Sequence, residues 1–118
     1  MQELNLPHKS PIRFAKYILK QDETSARVQV EFESLPSLGM LVESAAQSSA
    51  AINTNESSKM GFLVSLRNVK LLTAPTKTIL EVEVVNEHSI ENMRMMQFDI
   101  FEDELTIASG SFMIAVEN

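Results

Sequence analysis

The chain contains no cysteine, no tryptophan and only three glycines among its 118 residues. Without cysteine it can form no disulfide and has no thiolate chemistry. The few glycines form no phosphate-binding loop, and two histidines without cysteine offer no zinc-type cluster. We therefore predict no metal and no cofactor. No stretch approaches the roughly 20 apolar residues that a membrane helix needs, so we predict no membrane span and a cytoplasmic location.

The charge balance also excludes a class of partner. The formal net charge is −6, and nine acids but one arginine lie within residues 78–118. Nucleic-acid binding depends on clustered Lys and Arg that neutralise phosphates. We therefore predict no nucleic-acid partner. The length suits one domain covering residues 1–118, because it can supply one hydrophobic core.

Alternating apolar and polar residues predict most of the chain to be β-strands. The clearest case is 25–33, which places one set of side chains on a single face: Ala26, Val28, Val30 and Phe32. This period of two is typical of a half-buried strand. Extended patterns also occupy 12–20, 60–72, 78–86, 93–102 and 105–117, with a loop near His88–Asn92. The predicted order is β-β-α-β-β-β-β, an α+β fold with the helix on one sheet face.

A helix is predicted after Pro36, with Ser37 as its N-cap. Apolar and small residues then follow helical spacing from Leu38 to Ile52. A surface helix carries several charges on its outer face, whereas this one has a single charge, Glu43, between residues 34 and 55. We therefore predict that the helix is buried on most sides, by the sheet and by a partner subunit.

Glu43 is the candidate functional residue on this helix. It lies beside the apolar stripe, on a flank shared with Gln47 one turn later. Burial on this flank would suit the carboxyl group to proton transfer. On the alternative interpretation, the flank meets solvent and Glu43 is an ordinary surface acid.

Four segments, taken in order, carry a family resemblance. They are Leu6-Pro7-His8 with Pro11, the helix segment Leu41-Val42-Glu43-Ser44-Ala45-Ala46-Gln47, Asn68-Val69-Lys70 with Pro75, and Glu104-Leu105 leading into Ala108, Phe112 and Ile114. Together they resemble the 3-hydroxyacyl-acyl carrier protein dehydratases, whose central helix reads Leu-Glu-Ala-Met-Ala-Gln. The similarity spans nearly the whole chain.

The resemblance implies the hotdog fold, a curled antiparallel sheet around one long helix. It also implies a homodimer or dimer-based oligomer, with a tunnel for the acyl-pantetheine of acyl carrier protein or coenzyme A at the interface. Glu43 matches the catalytic glutamate of the family, and Gln47 matches the glutamine one turn later. We place Gln47 among the thioester-binding residues together with Gly39, whose helix-start amides would hold the carbonyl oxygen, and Met40, which would line the tunnel.

The chain departs from the family at the second half of the catalytic pair. A Gly-His-Phe-Pro-Gly loop precedes the helix in the family, whereas the same region here is Glu33–Gly39, shorter and without histidine. His8 and His88 are the only histidines, and neither matches the missing one. Dehydration needs proton removal as well as protonation of the leaving hydroxyl, so a single base is poorly suited to it.

Three functions therefore stay open. The first is an acyl-thioester binder of dehydratase ancestry, diverged or catalytically impaired. The second is an enzyme: a hotdog thioesterase with Glu43 as base or nucleophile, or a residual dehydratase that uses His8 or His88. The third is a structural or interaction domain whose tunnel is filled by its own side chains, methionines among them. The pathway stays open as well, since fatty acid, polyene and surface-polymer synthesis all fit the resemblance.

Overall fold

A computed structural model describes residues 2–3, 13–52 and 61–116. Its strands are β1 (Gln2–Glu3), β2 (Ala15–Gln21), β3 (Ser25–Glu31), β4 (Gly61–Leu71), β5 (Ile79–Ile90), β6 (Met93–Glu102) and β7 (Leu105–Val116). The helix α1 (Leu38–Ser48) continues into a 3-10 turn at Ser49–Ala51. The predicted order of two strands, a helix and four strands is confirmed, and the short β1 was not predicted.

All seven strands form one antiparallel sheet in the order β1-β2-β3-β5-β6-β7-β4. The helix packs across β2, β3, β5 and β6. The sheet curls around it, because the inward-facing residue of each alternating pair is apolar and must be buried against the helix. The core includes Val28, Val30, Leu41, Ala45, Leu80, Val82, Val84, Phe98, Ile100 and Phe112.

The helix begins where the sequence predicted it to begin. The Ser37 hydroxyl accepts a hydrogen bond from the backbone N–H of Met40 at 3.2 Å, so Ser37 is the N-cap. At the other end, regular helix stops at Ser48, four residues before the predicted end at Ile52. The hydroxyl of Ser49 donates to the carbonyl oxygen of Ala46 at 2.6 Å. Such local side-chain bonds compete with the helical ladder and favour the tighter 3-10 turn found here.

The predicted loop at His88–Asn92 is wrong for most of its length. Strand β5 continues to Ile90, and the turn to β6 consists of Glu91 and Asn92. Glu91 adopts a left-handed φ of 53°, as a tight two-residue hairpin turn requires. The Arg94 guanidinium donates to the carbonyl oxygen of Glu91 at 2.8 Å and stabilises this turn. Polar residues near a hairpin turn do not show how far the two strands stay paired. The sequence pattern alone therefore did not reveal that β5 continues to Ile90.

The two edges of the sheet differ. The two-residue β1 lies along β2. At the other edge the 11-residue β4 pairs with β7, and no strand among the described residues lies along its other side. None of the helices described is long and apolar enough to span a membrane. His8 and the predicted polar run Asn53–Ser58 lie outside the described residues.

Candidate functional site

The four residues predicted for the site share one flank of α1. Gly39, Met40, Glu43 and Gln47 follow one another at spacings of one, three and four residues, which places them on adjacent turns of the same side. Gly39 is exposed, Met40 and Glu43 are half-buried, and Gln47 is buried. The prediction that most of the helix is buried holds for the side that faces the sheet. Within a single chain this flank is only partly covered.

Gln47 joins the helix to the start of strand β2. Its side-chain oxygen accepts hydrogen bonds from the backbone N–H groups of Phe14 at 2.8 Å and Ala15 at 3.1 Å. All three residues are buried, so each bond satisfies a polar group that has no access to water. Because the oxygen is held by two donors, the side-chain amide has one orientation, with its NH2 group directed along the helix.

That NH2 group contacts Glu43. Gln47 Nε2 donates to Glu43 Oε1 at 3.3 Å. Within the described part of the chain, Glu43 has no other hydrogen bond and no ion pair, so its second oxygen, Oε2, is available to a ligand. Glu43 can therefore act as a hydrogen-bond acceptor or as a base from a position fixed through Gln47.

The start of the helix, about one turn before Glu43, offers backbone donors. Ser37 accepts from the N–H of Met40 through its hydroxyl and from that of Leu41 through its carbonyl oxygen. The N–H groups of Leu38 and Gly39 have no bonded acceptor among the residues described. They would suit a carbonyl oxygen or another partly negative group, because the helix dipole is positive at this end.

A second feature of the concave side is an uncovered apolar strand. On β4, Leu63 pairs with Ile114, Leu66 with Phe112 and Leu71 with Ala108, all three partners being inward-facing core residues of β7. Residues directly opposite in a sheet project on the same side. Yet Leu63, Leu66 and Leu71 are 43%, 47% and 44% exposed, because the helix does not extend over this strand.

His88 lies on the other side of the sheet. Its cross-strand partner on β6 is Met95, whose neighbours Arg94 and Met96 are the buried, inward-facing residues. His88 and Met95 therefore project from the convex face, whereas Glu43 lies on the concave side with the helix. The sheet separates the two groups, so His88 cannot be the imidazole partner of Glu43 within one chain. His8, the other histidine, lies outside the described residues.

The convex face carries a row of carboxylates. Glu83 on β5 and Asp99 on β6 are directly opposite each other. Burial raises the pKa of Asp99, and repulsion from the Glu83 carboxylate raises it further. Arg27 lies on the other side of Glu83, with its Nη1 atom 3.8 Å from Glu83 Oε2, and also pairs with Glu81 at 2.7 Å.

Replacing Asp99 with asparagine is expected to raise the free energy of unfolding at pH 7. The pKa of Asp99 is above its ordinary value of 3.8 in the folded protein, so ionisation costs more in the folded than in the unfolded chain. That cost is absent below pH 3.8, grows as the pH rises through the raised pKa, and persists above it. The gain from Asp99→Asn should therefore disappear on acidification in urea titrations followed by circular dichroism.

Asp22 provides the control of opposite sign. Hydrogen bonds from the backbone of Thr24 and from the backbone and hydroxyl of Ser25 lower the pKa of Asp22. Its contribution to stability is present at neutral pH and is lost as the pH falls through the lowered pKa. Asp22→Asn should thus destabilise at pH 7. A gain in stability from both substitutions at pH 7 would contradict the assignment.

Comparison with known proteins identifies the fold of this chain but assigns it to no family. No family model matches the chain, and no curated protein matches its sequence. Among the described residues, no group of three or more His, Asp or Glu side chains is arranged to hold a metal ion.

Solved structures do match. A sigma28-regulated virulence protein from Campylobacter jejuni superposes with a TM-score of 0.76 at 13% identity, covering 99% of this chain and 94% of that one. A dehydratase heterocomplex from Xenorhabdus doucetiae gives 0.74 at 15%, covering 96% and 88%. A hypothetical thioesterase with coenzyme A from Streptococcus pneumoniae gives 0.69 at 15%, covering 86% and 84%. The chain has the hotdog fold, as the resemblance implied.

Sequence reasoning missed the anchoring role of Gln47. The Glu43–Gln47 spacing showed that the two side chains share a flank, but no local signal indicated that the Gln47 oxygen binds amides more than 30 residues away. The signal that was available is the burial of a polar amide on an apolar helix, which requires partners somewhere in the fold.

Proposed function

We propose that the protein binds acyl thioesters of coenzyme A or acyl carrier protein, as a dimer, and does not carry out the dehydration catalysed by the 3-hydroxyacyl-acyl carrier protein dehydratases that its sequence resembles. The observation that carries this proposal is the isolation of Glu43: its carboxylate is fixed through Gln47 and has no imidazole at its side among the described residues. A single fixed acceptor can orient a polar ligand, whereas dehydration needs a base and an acid together.

The chemistry of the concave side supports a ligand with one polar and one apolar end. Glu43 Oε2 and the N–H groups of Leu38 and Gly39 provide an acceptor and two donors on one flank of the helix. Leu63 and Leu66 provide apolar surface on β4. An acyl thioester presents this combination, with carbonyl and amide groups in its pantetheine arm and hydrocarbon beyond. The fold is shared with a solved structure that contains coenzyme A.

The open edge of β4 supports assembly with a second copy. An 11-residue edge strand with exposed leucines is a template for pairing with another chain. Antiparallel pairing of β4 with the β4 of a second copy would continue the sheet from one chain into the other. Each chain would then cover exposed leucines of its partner. The second copy would then complete the ligand site, because its side chains would cover Leu63 and Leu66.

Replacing Leu66 with lysine is therefore expected to convert a dimer into monomers and to weaken thioester binding at least about tenfold. The charge would lie on the concave side, where pairing buries the side chain, and an unpaired buried charge costs several kcal/mol. Sedimentation equilibrium measures the first effect, and calorimetric titration with palmitoyl-coenzyme A measures the second.

Ser65→Lys is the matched control for this substitution. Ser65 pairs with Met113 and projects from the convex face, so a lysine there reaches solvent in the dimer. It should leave both assembly and binding unchanged. A wild-type protein that stays monomeric at about 100 µM, where a dimer with a Kd of about 1 µM would be mostly assembled, would refute the dimer.

Glu43→Gln separates a binder from an enzyme. On the proposed function, wild type binds 3-hydroxyacyl- and acyl-coenzyme A without forming enoyl thioester or free thiol. Glu43→Gln still binds, with affinity lowered by about tenfold, because its one oxygen accepts from Gln47 and the group facing the ligand becomes an NH2 that cannot accept a hydrogen bond. Calorimetry and a thiol-release assay with chromatography of the products give the two readouts.

The second candidate function is thioester hydrolysis. Glu43 Oε2 is free to activate water or attack the acyl group, and the Gly39 N–H group could hold the developing oxyanion. Thiol release by wild type that falls about 10²–10⁴-fold in Glu43→Gln would establish this function. Absence of both binding and turnover would leave the structural or interaction domain, with apolar side chains filling the space.

A further inference from the structure

A row of sulfur and nitrogen side chains crosses the convex face. His88 on β5 is directly opposite Met95 on β6, and Met95 is directly opposite Met113 on β7. Side chains of directly opposite residues project on the same face with Cβ atoms about 4.5–5.5 Å apart. One imidazole and two thioethers therefore lie side by side, although the two methionines are 18 positions apart in the sequence.

These three side chains are at least partly accessible to solvent. His88 is exposed, and Met95 and Met113 are half-buried, whereas the adjacent Met96 faces the core and is 4% exposed. Among the residues described, no hydrogen bond or ion pair involves the His88 side chain. The helix lies on the other face and does not cover them. Packing of the core thus accounts for Met96 but not for Met95 and Met113.

The chemical character of the row selects one class of ligand. Thioether sulfur is a soft donor that favours Cu(I) over the hard cations, and imidazole nitrogen also binds copper. Met side chains have three rotatable bonds, so two of them beside an imidazole can converge on one ion without moving the backbone. No carboxylate, the donor that would favour Mg²⁺ or Ca²⁺, is among the three paired residues, although Glu87 adjoins His88 as the unpaired residue of the bulge between Asn86 and His88.

We propose that His88, Met95 and Met113 form a surface site for a soft monovalent metal ion, Cu(I) or its analogue Ag(I), bound by one nitrogen and two sulfur atoms. Composition alone predicted no metal, because that prediction considered only His and Cys, and because the register that joins these side chains is a tertiary property. The site is independent of the thioester proposal. It lies on the face opposite Glu43, and pairing of a second copy along β4 would leave it open.

Titration of the full-length protein with silver nitrate in chloride-free buffer tests the site. Isothermal calorimetry should give one Ag(I) per chain, with binding weakened at least tenfold in Met95→Leu and in Met113→Leu. His88→Gln should weaken binding as well, because it replaces the imidazole nitrogen by an amide. In spectra of methionine-methyl-labelled protein, Ag(I) should shift the Met95 and Met113 signals and leave Met96 unshifted. Competition with bathocuproine disulfonate under ascorbate extends the test to Cu(I).

Met96→Leu is the matched control, since it removes a methionine from the same strand but from the buried face. It should bind Ag(I) as wild type does, and the nearly equal volumes of Met and Leu preserve the core. Three results would overturn the proposal: no saturable binding of either ion, equal weakening by Met96→Leu, or unchanged affinity in the Met95→Leu/Met113→Leu double variant. Circular dichroism of each variant excludes unfolding as the cause of lost binding.

Discussion

Replacing Gly110 with alanine is expected to lower the free energy of unfolding by about 3 kcal/mol, the upper end of the usual cost of overpacking a core. A Cβ atom at Gly110 would lie 3.0 Å from two ring carbons of Phe98 and 3.0 Å from the Cα atom of Val69. The ring belongs to a fully buried residue, and the Cα atom belongs to the backbone of β4. Neither can move without disturbing its own packing.

The crowding at Gly110 comes from two features of the sheet. Phe98 is its direct cross-strand partner on β6, and the aromatic ring covers the glycine. On the other side, β4 is irregular between Arg67 and Lys70, where Asn68 has a left-handed φ of 54°. This bulge brings the Val69 backbone against β7, so only a residue without a side chain fits between β6 and β4.

Gly39→Ala is the matched control, with the same chemical change and the opposite expected sign. A Cβ atom at Gly39 would find one neighbour, the Ser37 hydroxyl, at the ordinary contact distance of 3.9 Å. Alanine is the better helix former, so this substitution should raise the free energy of unfolding by about 0.5 kcal/mol. Guanidinium denaturation of both variants measures the difference. Equal effects at the two positions would contradict the steric argument.

Replacing Gln47 with alanine should have the second large effect, a loss of about 3 kcal/mol in the free energy of unfolding. The change leaves the buried N–H groups of Phe14 and Ala15 without an acceptor, and each unsatisfied buried donor costs about 1–3 kcal/mol. It also removes the donor that fixes Glu43. On the proposed function, in which Glu43 contacts the ligand, folded Gln47→Ala protein should bind acyl thioester more weakly than the wild type does.

Gln21→Ala distinguishes this mechanism from the general cost of removing a glutamine. The Gln21 side chain donates one hydrogen bond, to the carbonyl oxygen of Ala51 at 3.1 Å, and is exposed. Water can replace it, so the expected loss is about 0.5 kcal/mol. Hydrogen exchange provides a local readout: the amides of Phe14 and Ala15 should lose protection in Gln47→Ala alone. Retained protection there would show that Gln47 does not anchor β2.

Much of the fold could be predicted from local patterns. Alternation in segments such as 25–33 identified the six long strands, and Ser37 identified the helix start, because these signals depend on side chains near one another in the chain. The helix end and the length of β5 were predicted less well. In both cases the outcome depended on bonds that polar residues make with the backbone, at Ser49 and at Arg94, and these have no apolar period.

The candidate site was only partly accessible to the same reasoning. The sequence by itself determined that one lone carboxylate, Glu43, shares a helix flank with Gln47, Met40 and Gly39, because helical spacing is a local property. Only the tertiary structure decided which side of the sheet His88 occupies, which amides Gln47 binds, and which methionines meet His88. Those contacts join residues that are far apart in the chain, and their partners are set by strand register, which depends on the packing of the whole sheet.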